Sequence, residues 1–92
     1  MSTQVTTQNE ITVGRRTLQI VKTTDAWFNV SWTLVEADGT EWDVVASPTR
    51  AGQGCFRGDR VAVNRATGKR LQRSGKVVRF YAHNGRLELA LA

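Results

Sequence analysis

Residues 27–47 have the sequence WFNVSWTLVEADGTEWDVVAS, and this stretch decides the fold. Apolar and polar residues alternate on both sides of Ala37-Asp38-Gly39, which is the pattern of two half-buried strands joined by a short turn. Three loop residues that end in glycine suit a type I turn closed by a bulge, with Gly39 at positive φ. The resulting register pairs Leu34 with Trp42, and a slip of one residue would scatter the large side chains over both faces. The face predicted to enter the core carries Phe28, Val30, Trp32, Leu34, Trp42, Val44 and Ala46.

The same alternation predicts further strands on both sides of this hairpin. Gly14 marks a bulge or bend inside the first strand, because glycine in a strand interior commonly does so. Near the C-terminus, Asn84-Gly85 is the strongest short hairpin signal in the chain, and it pairs Ala82 with Leu87 and Phe80 with Leu89. Besides the strand that follows Gly39, strands are predicted over 11–23, 27–36, 60–64, 76–82 and 86–91. A loop is predicted over 48–59, and a long basic connection over 65–75.

These elements predict an all-β fold, because no stretch shows sustained helical periodicity. Short antiparallel strands with one apolar face must close or fold over to bury that face. We therefore expect a small antiparallel barrel of five to six strands, OB-fold-like, with an SH3-like barrel as the alternative. We expect a flexible N-terminal tail over residues 1–10 and a single β-barrel domain over residues 11–92.

Two short motifs support the OB-fold-like barrel. Residues 58–63 are Gly-Asp-Arg-Val-Ala-Val, and residues 85–89 are Gly-Arg-Leu-Glu-Leu. The order of elements over residues 11–91 resembles the OB-fold nucleic-acid-binding superfamily, including bacterial single-stranded-DNA-binding proteins. In that superfamily a Gly-Asp-x-Val-x-Val segment commonly opens the fourth strand and a Gly-x-Leu-x-Leu segment the last. The resemblance implies a barrel whose loops flank a groove for single-stranded nucleic acid.

The charge of the chain is divided between its two halves. Residues 1–45 contain three bases and six acids, a net charge of −3, and residues 46–92 contain ten bases and two acids, a net charge of +8. Eight of those ten bases are arginines, whose planar forks suit phosphate and also stack on bases. A basic excess confined to one half indicates a surface that meets a polyanion.

Single-strand binding needs cations along the phosphates and exposed rings under the bases. The connection over 65–75 and the start of the next strand bring many of the cations close together. Trp27 begins a predicted strand at a position whose side chain faces outward. Glu41 and Asp43 lie on the outer face of the following strand and would repel phosphate. The predicted nucleic-acid-binding residues are the aromatics Trp27, Phe56 and Tyr81 and the cations Arg50, Arg57, Arg65, Lys69, Arg70, Arg73, Lys76 and Arg79.

Other function classes have little support in the sequence. His83 is the only histidine, Cys55 is the only cysteine, and no Cys or His set has the spacing of metal ligands. We expect no enzyme activity, no cofactor and no metal. The chain lacks a long apolar run and a signal-peptide pattern, which predicts no membrane contact and a cytoplasmic location. The alternative to nucleic-acid binding is a small barrel that recognises a protein partner or forms a homo-oligomer, its two charged halves being complementary.

Overall fold

A computed structural model describes residues 4–46 and 59–90 of the chain, with side chains described from residue 10 onward. The prediction of an all-β fold is confirmed, since every regular element in these ranges is a strand. The strands are β1 (Gln4–Val13), β2 (Arg16–Thr24), β3 (Val30–Glu36), β4 (Glu41–Ala46), β5 (Asp59–Asn64), β6 (Gln72–Arg73), β7 (Lys76–Val77), β8 (Arg79–His83) and β9 (Arg86–Leu89).

Seven of these strands form one antiparallel sheet that curls into a nearly closed barrel. Its order is β1-β2-β3-β4-β5-β8-β9, and β6 and β7 form a separate two-stranded hairpin. The barrel has more strands than the five to six that were predicted. In the described part of the chain each strand of the large sheet lies beside the one before it, without the Greek-key connection of an OB-fold. The OB-fold assignment therefore stays a prediction.

The barrel has two ends, which the antiparallel order defines. The first end carries the β1–β2 turn, the β3–β4 turn and the turn after β5, where the Arg65 N–H donates to the Glu41 carbonyl at 3.0 Å. The second end carries the β2–β3 turn and the β8–β9 turn. At about 3.3 Å per residue, the nine residues of β2 separate the two ends by roughly 25 Å.

Both predicted hairpins are confirmed in register. Leu34 pairs with Trp42 across β3 and β4, and Gly39 has a φ of +90°, which its turn requires of a residue without a Cβ. Phe80 pairs with Leu89 across β8 and β9. Asn84 and Gly85 both have positive φ, at 50° and 72°, as a type I′ turn demands. The turn residues and the apolar alternation thus specify the same pairing.

The core lies inside the curled sheet and includes both predicted tryptophans. Trp32 and Trp42 are each 7% exposed, and Phe80 is fully buried. Burying a large apolar side chain stabilises the fold by about 1.5–3 kcal/mol. Phe28 was predicted in the core, and this prediction is wrong. Phe28 precedes β3 in a turn with a φ of +64°, and its side chain is 85% exposed. Val30, also predicted on the core face, is 37% exposed at the start of β3.

The N-terminal part contains a hairpin where the sequence predicted one strand. Gly14 and Arg15 form a two-residue turn between β1 and β2, and Val13 pairs with Arg16. Gly14 has a φ of +64° and is therefore the turn residue rather than a bulge inside a strand. Because β1 begins at Gln4, the boundary that was predicted at residue 10 falls within this strand.

The predicted basic connection over 65–75 contains a buried residue that ties it to the barrel. Leu71 is fully buried, and its N–H donates to the Ala62 carbonyl at 2.8 Å. The N–H of Val78 then donates to the Leu71 carbonyl at 2.9 Å. These two bonds fix the base of the β6–β7 hairpin, so the strand predicted over 76–82 is divided between β7 and β8. The backbone that carries the cations of this hairpin is consequently anchored to the barrel at Leu71.

Candidate nucleic-acid interface

The first end of the barrel collects cations from two distant parts of the sequence. Arg15 and Arg16 lie in and beside the β1–β2 turn, and the β6–β7 hairpin carries Arg73 and Lys76. The two elements are in contact, because the Arg73 side chain lies 3.7 Å from the point where a Cβ on Gly14 would stand. All four of these basic residues are exposed to solvent. A Cβ on residue 14 would make only ordinary van der Waals contact with Arg73, so glycine is favoured here by its φ of +64° rather than by lack of space.

Two grooves lie beside the β6–β7 hairpin at this end. The larger, of about 890 Å³, contains Arg16, Lys69 and Arg70 together with the acids Glu36 and Asp38. Arg16 already faces one of these acids, with 3.8 Å between its Nη1 and the Glu36 Oε1. The smaller groove, of about 610 Å³, has mostly apolar walls and includes Arg73, Lys76 and Arg79. No carboxylate from the described residues lines the smaller groove.

The outer face of β8 leads from these cations to a pair of stacked rings. Arg79, Tyr81 and His83 point outward on alternate positions, while Phe80 between them is buried and anchors the strand. The Tyr81 and His83 ring centroids lie 5.9 Å apart, with 24° between the planes. Tyr81 is 42% exposed, so part of its ring remains open to a further stacking partner.

Carboxylates flank this ring pair within the sheet. Tyr81 pairs with Asp59 of β5 on one side and with Glu88 of β9 on the other. Phosphate is therefore disfavoured immediately beside Tyr81. What Tyr81 can offer there is a flat apolar surface.

Arg65 is placed differently from the other predicted cations. Its guanidinium contacts the Asp43 carboxylate, with 2.7 Å between Nη2 and Oδ1 and 3.2 Å between Nε and Oδ1, and it also bonds Glu41. These hydrogen bonds hold the pKa of Asp43 below its usual value and raise the pKa of Arg65. Arg65 thus offsets only part of the charge of the two acids on the outer face of β4 that were expected to repel phosphate.

The structure brings together some of the predicted site residues and separates others. Lys69, Arg70, Arg73 and Lys76 lie at the first end, and Arg79 and Tyr81 follow along β8. Trp27 lies on the β2–β3 turn at the second end. Arg50, Phe56 and Arg57 lie outside the described residues.

Three residues at these surfaces were not predicted as part of a site. Arg15 and Arg16 directly follow the turn glycine, a signal that was available once Gly14 was assigned to a turn. His83 is not among the predicted site residues, although its alternation with Tyr81 places both rings on one face.

The described residues contain neither a metal cluster nor a membrane-crossing helix. No three His, Cys, Asp or Glu side chains in these ranges group closely enough to hold a metal ion. Within the same ranges, no helix is long and apolar enough to span a bilayer. In comparisons with known proteins, no family model matches this sequence, and no curated protein and no solved structure matches it either.

Proposed function

We propose that this chain is a non-catalytic module that binds single-stranded nucleic acid, DNA slightly in preference to RNA, at the first end of its barrel. The observation that carries the proposal is the meeting of the β1–β2 turn with the β6–β7 hairpin, where Arg73 packs over Gly14. Cations from both elements then face one region, although more than fifty residues of sequence separate Arg16 from Arg73. Such a cluster matches the electrostatic footprint of a nucleic-acid-binding surface.

A polymer suits this surface better than a small anion. The cations occupy both grooves and the hairpin between them, rather than converging on one enclosed point. A chain of phosphates can contact several of these positions at once and release a counterion at each. Four of the six cations at positions 15, 16, 69, 70, 73 and 76 are arginines, whose guanidinium groups can contact a phosphate through two hydrogen bonds.

Preference for single strands would come from the rings on β8. Duplex carries the denser charge, so phosphate contacts alone cannot favour a single strand. Tyr81, stacked on His83, offers a platform for one unpaired base, and the backbone of the ligand would follow Arg79 toward Arg73 and Lys76. The described residues include no helix that could enter a major groove, which is consistent with weak sequence preference.

Equilibrium titration of labelled oligonucleotides tests this function. Oligo-dT, oligo-U and a duplex of equal length are compared by fluorescence anisotropy at two salt concentrations. We expect both single strands to bind more tightly than the duplex and all binding to weaken in salt. Absence of binding at low salt, or tighter binding of the duplex, would contradict the proposal.

A second function, a protein-interaction or self-assembling module, is favoured by one separate observation. Trp27 and Phe28 are 76% and 85% exposed at the second end, far from the cation cluster. Exposed aromatics of this kind are enriched in protein interfaces. Concentration-dependent association in the absence of nucleic acid would distinguish this function from the first.

A further inference from the structure

The turn between β2 and β3 presents two adjacent aromatic side chains to solvent. Trp27 and Phe28 are the most exposed of the large hydrophobic residues in the described part of the chain. We call the segment 25–29 the aromatic tip. An apolar surface of this kind on a folded domain marks a place where something docks.

Hydrogen bonds hold the backbone of the aromatic tip in a turn. The Asp25 carboxylate accepts hydrogen bonds from the backbone N–H of Trp27 at 2.8 Å and of Asn29 at 2.9 Å, and from the Asn29 side-chain amide at 3.1 Å. The N–H of Phe28 donates to the Asp25 carbonyl at 3.1 Å. Phe28 is held at a φ of +64°, a conformation uncommon for a bulky residue. A tip that is already ordered loses little entropy when it docks.

The charge beside the rings restricts the partner. Hydrogen bonds from Asn29 lower the pKa of Asp25, so its carboxylate is ionised at neutral pH. A fixed negative charge two or three residues from the rings disfavours nucleic-acid phosphates and anionic lipid headgroups. It favours an apolar pocket with a cationic rim.

The chain itself contains a pocket of that description at its first end. This is the smaller of the two grooves described above, with a volume of about 610 Å³. Val13, Val77, Val78 and Leu89 provide apolar walls, and Arg73 and Lys76 supply positive charge. The polarity and charge of the groove are therefore complementary to those of the aromatic tip at the opposite end of the barrel.

We propose that the aromatic tip of one copy docks into the apolar groove of a second copy. Because the tip and the groove lie at opposite ends, the contact is head to tail. Each added copy then presents a new tip or groove, and assembly continues into a filament or closes as a ring. Burial of the two rings removes about 300–500 Å² of surface from water. An interface of this size is small, so we expect weak and reversible association.

Sedimentation velocity without nucleic acid tests this assembly over a range of protein concentrations. The tip variant is Trp27→Ser with Phe28→Gly, in which glycine suits the positive φ at residue 28. The groove variant is Val77→Glu, which places an acid against the incoming Asp25. Lys76→Glu replaces it if Val77→Glu disturbs the hairpin, because Lys76 is exposed. Val45→Ser, at an apolar site 42% exposed on β4, is the control.

The parent protein and the control are expected to associate as concentration rises. Either variant alone should stay monomeric, with association weakened by about 10- to 100-fold. An equimolar mixture of the tip and groove variants should form a dimer and nothing larger, because one intact tip meets one intact groove. A parent that stays monomeric, variants that associate like the parent, or a mixture that fails to dimerise would overturn the proposal. The tip variant retains every cation at the first end, so failure of assembly leaves nucleic-acid binding independently measurable.

Discussion

The Arg65 guanidinium, just beyond the end of β5, contacts the Asp43 carboxylate of β4, with 2.7 Å between Nη2 and Oδ1. The same guanidinium also bonds Glu41. One arginine thereby offsets part of the charge of two acids, and the three groups together keep a net charge of 1 − 2 = −1. Arg65 is consequently engaged with carboxylates of its own chain rather than free to meet phosphate.

This contact predicts a pH dependence of stability. Hydrogen bonds from Arg65 lower the pKa of Asp43 from its usual 3.8. A carboxyl whose pKa is lower in the folded state stabilises the fold above the unfolded pKa, and this contribution is lost as pH falls through the folded pKa. The melting temperature should therefore fall below about pH 4. In thermal melts, the melting temperature of Arg65→Gln should fall less on acidification, because the pKa of Asp43 is no longer lowered by Arg65.

Part of the acid dependence should remain in Arg65→Gln. The pKa of Asp25 is lowered by hydrogen bonds from Asn29, and the pKa of Asp38 by hydrogen bonds from Thr40. Neither depends mainly on Arg65. Identical pH profiles for the parent and the variant would show that Arg65 does not shift the pKa of Asp43.

The core predicts a strong difference between two tryptophans. Trp42 is 7% exposed, and its Nε1 donates to the Glu36 carboxylate at 2.8 Å, whereas Trp27 is 76% exposed. Trp42→Ala should lower the free energy of unfolding by about 3–5 kcal/mol. Trp27→Ala should change it by less than about 0.5 kcal/mol. Urea unfolding of the two variants measures this, and equal losses would contradict the placement of both rings.

Backbone strain at the aromatic tip predicts an unusual stabilising substitution. Phe28 has a φ of +64°, which glycine adopts more readily. Relief of the left-handed conformation contributes about 1–2 kcal/mol, and the greater freedom of glycine in the unfolded chain removes about 0.5–1 kcal/mol of this gain. Phe28→Gly should therefore raise the free energy of unfolding by up to about 1 kcal/mol. Gly39→Ala is the opposite control, because residue 39 has a φ of +90° and no atom within 4 Å of an added Cβ. In denaturant unfolding, Gly39→Ala should be less stable than the parent protein. A loss of stability in Phe28→Gly would contradict the proposed backbone strain at residue 28.

The sequence predicted the β3–β4 and β8–β9 hairpins because turn chemistry and side-chain alternation agreed there. Leu34 faces Trp42, and the Asn84-Gly85 turn sets the pairing of Phe80 with Leu89. The sequence pattern did not predict the burial of single residues whose position depends on the folded structure. Phe28 fits the alternation of the following strand, but the hydrogen bonds of Asp25 hold it in a turn. Leu71 is one apolar residue among bases, and only the folded sheet shows that it is buried.

The candidate site was predictable in composition but not in arrangement. The density of cations around residues 69–76 is visible in the sequence. The contact between Arg73 and Gly14 is not, because it depends on how the curled sheet brings the β1–β2 turn to the β6–β7 hairpin. Long-range pairing likewise decides that Arg65 bonds acids of β4. Trp27 and Tyr81 share outward parity, yet they lie on different elements with different neighbours.

The stacked ring on β8 predicts a specific loss of affinity. Tyr81→Ala should weaken oligo-dT binding by about 1–3 kcal/mol, because a stacking ring contributes that much per base. Tyr81→Phe keeps the ring and should bind nearly as the parent does. Anisotropy titrations of the two variants, with circular dichroism to check folding, provide the measurement. Equal affinity of Tyr81→Ala and Tyr81→Phe would remove Tyr81 from the interface.

The salt dependence of oligo-dT binding tests most directly whether phosphates meet the first end. Arg73→Gln with Lys76→Gln removes two cations there, and the control Lys22→Gln removes one near the second end, where Lys22 lies beside Gly85. Each lost phosphate contact lowers the log–log slope by about 0.7, so the double variant should lower it by about 1.4. Lys22→Gln should leave the slope near that of the parent. An unchanged slope in the double variant, or a fall of about 0.7 in Lys22→Gln, would contradict binding at the first end.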